Sequence, residues 1–240
     1  MPHYRDEGII LRTHKLGEVD RILTILTKEH GQIRAVAKGV RKTSSRFGAR
    51  LEPFMVADLQ LYEGKNLDTV SQVEQLASYG AQIVADYPKY TAANAMVEAA
   101  ERLTRESSNS QQYLLLLGGL RALSGSDHEG SQVLDSYLLR ALSLSGWVPE
   151  LGSCQSCQSE NPVAFSVHTG NVSCGECSLP GAVKLGAAGL LHMRNLLAGN
   201  WPEVALAEPA AKSNVSSVIS AYLQWQLERG LRSMSMVERA

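Results

Sequence analysis

The chain has 240 residues, with 23 Lys+Arg against 24 Asp+Glu, a formal net charge of -1 and 44% hydrophobic residues. This is globular composition, long enough for one large domain or two small ones. It excludes a membrane-spanning helix, because the longest apolar run, YLLLLGGL, falls far short of the ~20 residues that a span needs.

The opening MPHYRDEG has no apolar run behind a basic start, so no signal peptide is expected. No lipidation motif occurs, and the cysteines are grouped as for a metal rather than scattered as for disulfides. Together these predict a reducing, cytoplasmic setting. Charge is uneven: residues 1–80 carry 12 Lys+Arg and 10 Asp+Glu, and the remaining 160 carry 11 and 14. The positive excess lies in Gly31 to Arg50, GQIRAVAKGVRKTSSRFGAR, which holds six cations and no acid.

In chain order, EGIILRT, RILTILT, QIRAVAK, MVADLQLY and NLDTVSQVE are short apolar or β-branched runs. Gly, Asp, Asn and charged turns separate them. Five strands in about 75 residues suit a small closed or partly open barrel better than a sandwich, and an OB-fold is one barrel of this count. After Gly80 the period becomes helical. YPKYTAANAMVEAAERLTRE, QQYLLLLGGLRALSG, SQVLDSYLLRALSLSG, LGAAGLLHMRNLLAGN and NVSSVISAYLQWQLERGL each predict a helix, the third ending at Gly146. Linkers are expected at SSNSQQ and SGSDHEG. Trp201, Tyr222 and Trp225 fall at helical positions and read as core. The organisation expected is α+β and multidomain: a β domain over 1–80, an α-helical domain over 81–150 and 180–240, and an insert over 151–179.

All four cysteines lie in that insert, as CQSC, sixteen residues, then CGEC. Two C-x2-C pairs at this spacing curl around opposite sides of one tetrahedral ion, so Cys154, Cys157, Cys174 and Cys177 are expected to hold one structural zinc. Four thiolates leave no open position for water or substrate. A redox reading lacks a thioredoxin-like βαβ context, and a deaminase reading lacks the proline before the first pair, where Ser153 stands. His168, between the pairs, reads as an exposed loop histidine. No P-loop, nucleophile elbow or H-E-x-x-H pair occurs, and His14, His30, His128 and His192 are scattered, so no enzyme is expected.

The basic stretch reads either as a solvated loop or as a nucleic-acid surface. Its lack of acids and its Gly39, Ser44, Ser45 and Gly48 favour the second. Cations there neutralise phosphates. Phe47 offers either a stacking face, worth ~1 to 3 kcal/mol per base, or a core residue that anchors the loop.

The run from Asp6 to Phe54, with its LGEVDR and LTKEHG turns, AVAKGVRK and the SRFGARLEPF exit, closely resembles the N-terminus of bacterial RecO recombination mediators. CQSCQSENPVAFSVHTGNVSCGEC is similar to that family's zinc-bearing insert, although Gln158 stands where many relatives place glycine. The resemblance implies an N-terminal five-stranded OB-fold β-barrel, then an α-helical domain with an inserted zinc ribbon. It also implies a cytoplasmic, nucleoid-associated protein in the RecFOR pathway of DNA repair and recombination. Such proteins bind single- and double-stranded DNA, anneal complementary strands, and work with RecR and the C-terminal tail of single-strand binding protein to load RecA. Arg34, Lys38, Arg41, Lys42, Arg46, Phe47 and Arg50 then become the expected DNA-binding residues, with Arg12, Lys15 and Arg21 as further contributors. The competing expectation is a zinc-ribbon adaptor that binds only protein, with no DNA activity.

Overall fold

A computed structural model describes residues 2–105, 110–125, 128–178 and 180–238. Of the expected linkers, 107–109 and 126–127 lie outside the described residues, as does residue 179 at the end of the expected insert. By its internal contacts the chain forms two compact units, 1–126 and 127–240.

The first unit holds β1 (His3–Leu16), β2 (Asp20–Thr27), β3 (Gln32–Ala37), β4 (Met55–Tyr62) and β5 (Asp68–Ser78). They close into a barrel in the order β1-β2-β3-β5-β4, with β3 and β5 parallel and the other pairs antiparallel. Alternation explains the closure. Leu23, Ile25, Ala35, Ala37, Leu59 and Leu61 are fully buried and point inward, while Arg34 and Ile22, one residue out of phase, do not. The register of β1 on β2 shifts between Ile10 and Arg12, the bulge that such tight curvature requires.

The same unit continues with α1 (Gly80–Val84), α2 (Tyr87–Leu103) and α3 (Ser110–Gly125). Asp86 caps α2 by accepting from the Lys89 amide at 3.1 Å, and Pro88 sits in its first turn. α2 and α3 pack on β1 and β2. Thr104 just past α2 donates to Gln32 of β3 at 3.2 Å, and Glu101 of α2 pairs with Arg12 of β1 at 2.8 Å.

The second unit is built from α4 (Gly130–Leu144), the short strands β6 (Ala164–Phe165), β7 (Val172–Ser173) and β8 (Val183–Lys184), then α5 (Gly186–Ala198), α6 (Trp201–Ala205) and α7 (Pro209–Gln226). Leu134, Leu138, Met193, Leu196, Val215 and Ile219 form the dry face between α4, α5 and α7. The five expected strands and five long helices are all present; α1 and α6, five residues each, are additions. Among the described residues, no helix is long and apolar enough to cross a membrane.

Candidate nucleic-acid interface and metal centre

The basic stretch occupies the connection from β3 to β4. Three apolar anchors tie it down: Val40, Phe47 and Leu51 reach the barrel core, the last two at 2% and 1% exposure. Of the two readings of Phe47, this burial supports the core anchor over the stacking face. Its ring is spent on the core, at about 1.5–3 kcal/mol for full burial, and offers no face to a base. The Arg46 guanidinium lies 5.0 Å from the ring centroid and closes it off from solvent.

Polar bonds fix both limbs of the loop. On the first limb the Asp20 carboxylate accepts from the Gly39 amide at 2.6 Å, and the Arg41 amide donates to the Val19 carbonyl at 3.0 Å. The Arg41 side chain donates to the carbonyls of Glu18 at 2.7 Å and Gly17 at 3.3 Å. Gly39 has φ +66, the left-handed region that favours glycine, and this turn aims its amide at Asp20. On the second limb Arg21 pairs with Glu52 at 2.5 Å.

The expected cations therefore divide into two groups. Arg34, Lys38, Lys42 and Arg46 are exposed and form no ion pair among the described residues. Arg50 is exposed and reaches the carbonyls of Arg46 and Val73 only at 3.5 Å. Lys15 is exposed at the barrel rim opposite Arg21. Arg41, Arg21 and Arg12 are engaged within the protein, the last by Glu101.

Strand register adds residues that the sequence reading passed over. Arg12, Thr24 and Arg34 align in one cross-strand row, and His14, Ile22 and Val36 in the next. Residues opposite each other share a face, so an exposed imidazole and two half-buried aliphatic side chains lie beside Arg34. Period two in β1, β2 and β3 carried that signal, but only pairing brings the three strands together.

In the second unit the four cysteine sulfurs all lie within 4.8 Å of one another, with Cys157 and Cys174 3.7 Å apart. A tetrahedral ion with bonds of about 2.3 Å would set its sulfurs about 3.8 Å apart, so the donor set fits a metal such as zinc. Backbone amides of Cys174 and Cys157 hold the Cys154 thiol down to about 6. Hydrogen bonding to the Cys157 and Cys174 side chains pushes Cys177 up to about 12. Four sulfurs this close cannot all carry charge without a cation among them, which is the condition a bound metal removes.

The first knuckle closes through the Gln158 amide on the Cys154 carbonyl at 2.8 Å and the Cys154 amide on the Ser159 carbonyl at 2.9 Å. Gln158 takes φ +61, a conformation suited to glycine. Its side chain accepts from Ser153 at 2.9 Å and donates to the Gln155 carbonyl at 3.4 Å, which offsets part of that strain.

The ribbon is seated on its helices by Arg194, which donates to the carbonyls of Leu151 at 2.6 Å and Gly152 at 3.0 Å. Tyr222 packs edge-on to Phe165 with centroids 5.4 Å apart. A Cβ on Gly170 would meet the Tyr222 hydroxyl at 2.7 Å, so the loop between β6 and β7 needs glycine there. His168 is exposed, as expected, and stands edge-on to Trp225 at 4.1 Å. The core reading holds for Tyr222, 2% exposed, but fails for Trp225, which is 52% exposed at the end of α7 where the helical face runs out of neighbours. Trp201 is half-buried and stacks on His128 at 4.4 Å.

Two family models cover nearly the whole chain: Recombination protein O N terminal matches residues 1–79, and Recombination protein O C terminal matches residues 84–235. Among curated proteins, the DNA repair protein RecO of a Nocardioides species is 48% identical over 98% of this chain and 99% of its own. The proteins of the same name from Thermobifida fusca and Streptomyces griseus are each 48% identical over 100% of both chains. The family is one of non-enzymatic recombination mediators. With a closed five-stranded barrel, a helical region bearing a four-cysteine metal site, and this similarity over its full length, the chain belongs to the RecO family.

Proposed function

We propose that the chain binds single- and double-stranded DNA, anneals complementary strands and, with RecR, helps load RecA onto DNA coated by single-strand binding protein. The observation that carries this reading is the set of exposed cations Arg34, Lys38, Lys42, Arg46 and Arg50 on one loop and strand of the barrel, with no acid between residues 31 and 50. A near-neutral chain can bind DNA this way, because only one face need be basic.

Annealing makes no covalent bond. Two strands repel through their phosphates, and a surface that neutralises both while leaving the bases accessible lowers that barrier. Residues 1–80 act as the DNA-binding domain, and Lys15 extends the basic face along the barrel rim. With Phe47 withdrawn into the core, His14, Ile22 and Val36 supply the floor against which a base rests, and the cations supply the affinity. Residues 81–150 and 180–240 form the helical domain that receives the tail of single-strand binding protein. One structural zinc on Cys154, Cys157, Cys174 and Cys177 orders the insert at 151–179. This activity belongs in the bacterial cytoplasm, at the nucleoid.

The test is the salt dependence of binding to a labelled oligonucleotide. A Lys38/Lys42/Arg46 to Ala variant should reduce the slope of log K against log salt by about two to three units. An unchanged slope would overturn the assignment and favour a protein-binding adaptor.

A further inference from the structure

Asp20 is an acid set among cations, and on charge alone it opposes DNA. Its carboxylate accepts from the Gly39 amide at 2.6 Å, across nineteen residues of chain. The same turn is held further by the Arg41 amide on Val19 at 3.0 Å and the Arg41 side chain on Glu18 at 2.7 Å and Gly17 at 3.3 Å. Next to these bonds Val40 enters the core, so the chain between Lys38 and Lys42 is held by polar bonds and by burial together. Lys38 and Lys42, which flank this pinned segment, are both exposed.

We propose that Asp20 is a positioning residue for nucleic-acid binding. It fixes the first limb of the basic loop so that Lys38 and Lys42 present together to successive phosphates, with Arg41 as a brace across the β1–β2 turn. The inference rests on the DNA-binding reading above. Its physical basis is ordering. Two lysines on a free loop must lose conformational freedom on binding, and a loop already pinned does not bear that cost. The carboxylate therefore repels phosphate weakly while organising two cations that attract it.

The two effects of Asp20 have opposite signs, which makes them separable. Asp20→Asn keeps an acceptor for the Gly39 amide and removes the charge. Asp20→Glu keeps the charge and displaces the acceptor. Asp20→Ala removes both. Affinity of the purified full chain for a fluorescein-labelled single-stranded oligothymidine, by anisotropy across a salt series, should put Asn at or above wild type and both Glu and Ala below it. Ala should be weaker by about ten-fold, with a slope reduced by about one unit.

If the charge alone matters, Asn and Ala bind equally and more tightly than wild type, while Glu matches wild type. That order overturns the proposal. Should Asp20→Ala fail to fold, Asp20→Glu still decides, because positioning places it below wild type and charge alone leaves it equal to wild type. The Lys38/Lys42/Arg46 to Ala variant run alongside separates the failures. If it leaves the slope unchanged, the DNA-binding reading falls. If it lowers the slope while the Asp20 series follows charge, only the positioning role falls.

Discussion

The basic loop and the cysteine ribbon are both irregular segments carried by a larger body, and they are held by different means. The loop from β3 to β4 sinks Val40, Phe47 and Leu51 into a closed barrel and ties its limbs with Asp20, Arg41 and the Arg21–Glu52 pair. The ribbon has three strands of two residues each, and among its described residues Phe165 is the largest fully buried side chain. A loop beside a core can be anchored by apolar burial. A segment too small to build a core needs a metal, whose binding energy is its folding energy.

Breaking the ribbon should give the largest effect. Cys174→Ser should abolish stoichiometric metal binding, read by elemental analysis, since structural zinc contributes on the order of 10 kcal/mol. Loss of order at His168 should change the fluorescence of Trp225 beside it, while the salt slope of DNA binding stays put because the barrel does not depend on the ion. A Cys174→Ser chain that retains metal would sink the four-thiolate assignment.

Acid should act in the same direction. The metal needs thiolates, and the metal-free site holds a proton on Cys177, pushed up to about 12, while Cys154 becomes protonated only below about 6. Metal binding therefore releases protons and must weaken as pH falls. A competition assay against a chromophoric chelator, from about pH 8 to about pH 6, should show affinity dropping throughout. Affinity independent of pH would contradict thiolate ligation.

The barrel loop should break by packing. Phe47→Ala should cost about 3–5 kcal/mol, seen as a lower thermal midpoint of the first unit. Phe47→Leu, which refills much of the space, should keep DNA affinity in a chain slightly less stable. A folded Phe47→Leu protein that loses an order of magnitude in affinity would restore the stacking role that burial denies it.

The smallest effect belongs to the knuckle. Gln158 at φ +61 carries about 1 kcal/mol of backbone strain, partly offset by its two side-chain hydrogen bonds. Gln158→Ala keeps the strain and loses the bonds, so it should destabilise the metal-loaded ribbon more than Gln158→Gly. Equal chelator resistance in the two variants, both below wild type, would show that the side-chain bonds, and not the backbone, govern that turn.

What the sequence made legible follows from the range of each signal. Short apolar or β-branched runs between turn residues exposed all five strands, because each run is buried on its own strand. The four cysteines stood out because two close pairs are a local pattern. Phe47 stood undecided between core and surface, since a lone aromatic among cations carries no periodicity to say which way it faces.

The engagement of Arg12 by Glu101, Arg21 by Glu52 and Arg41 by the carbonyls of Gly17 and Glu18 was hidden. Each partner is distant in sequence and near only once the barrel has closed and α2 has packed on it. The same holds for the row of His14, Ile22 and Val36, which exists only once three strands are in register. Trp225 misled because helical spacing reports one face of α7 and not where that face loses its neighbours.

The central claim is that the exposed cations of the barrel loop neutralise phosphates so that strands can pair. Annealing of complementary oligonucleotides by the purified chain, without nucleotide and across a salt series, tests it most directly. The account predicts annealing that weakens steeply with salt and falls away in the Lys38/Lys42/Arg46 to Ala variant at every salt concentration. Annealing equal in the variant and the wild type, or none at low salt with wild-type protein, would contradict it.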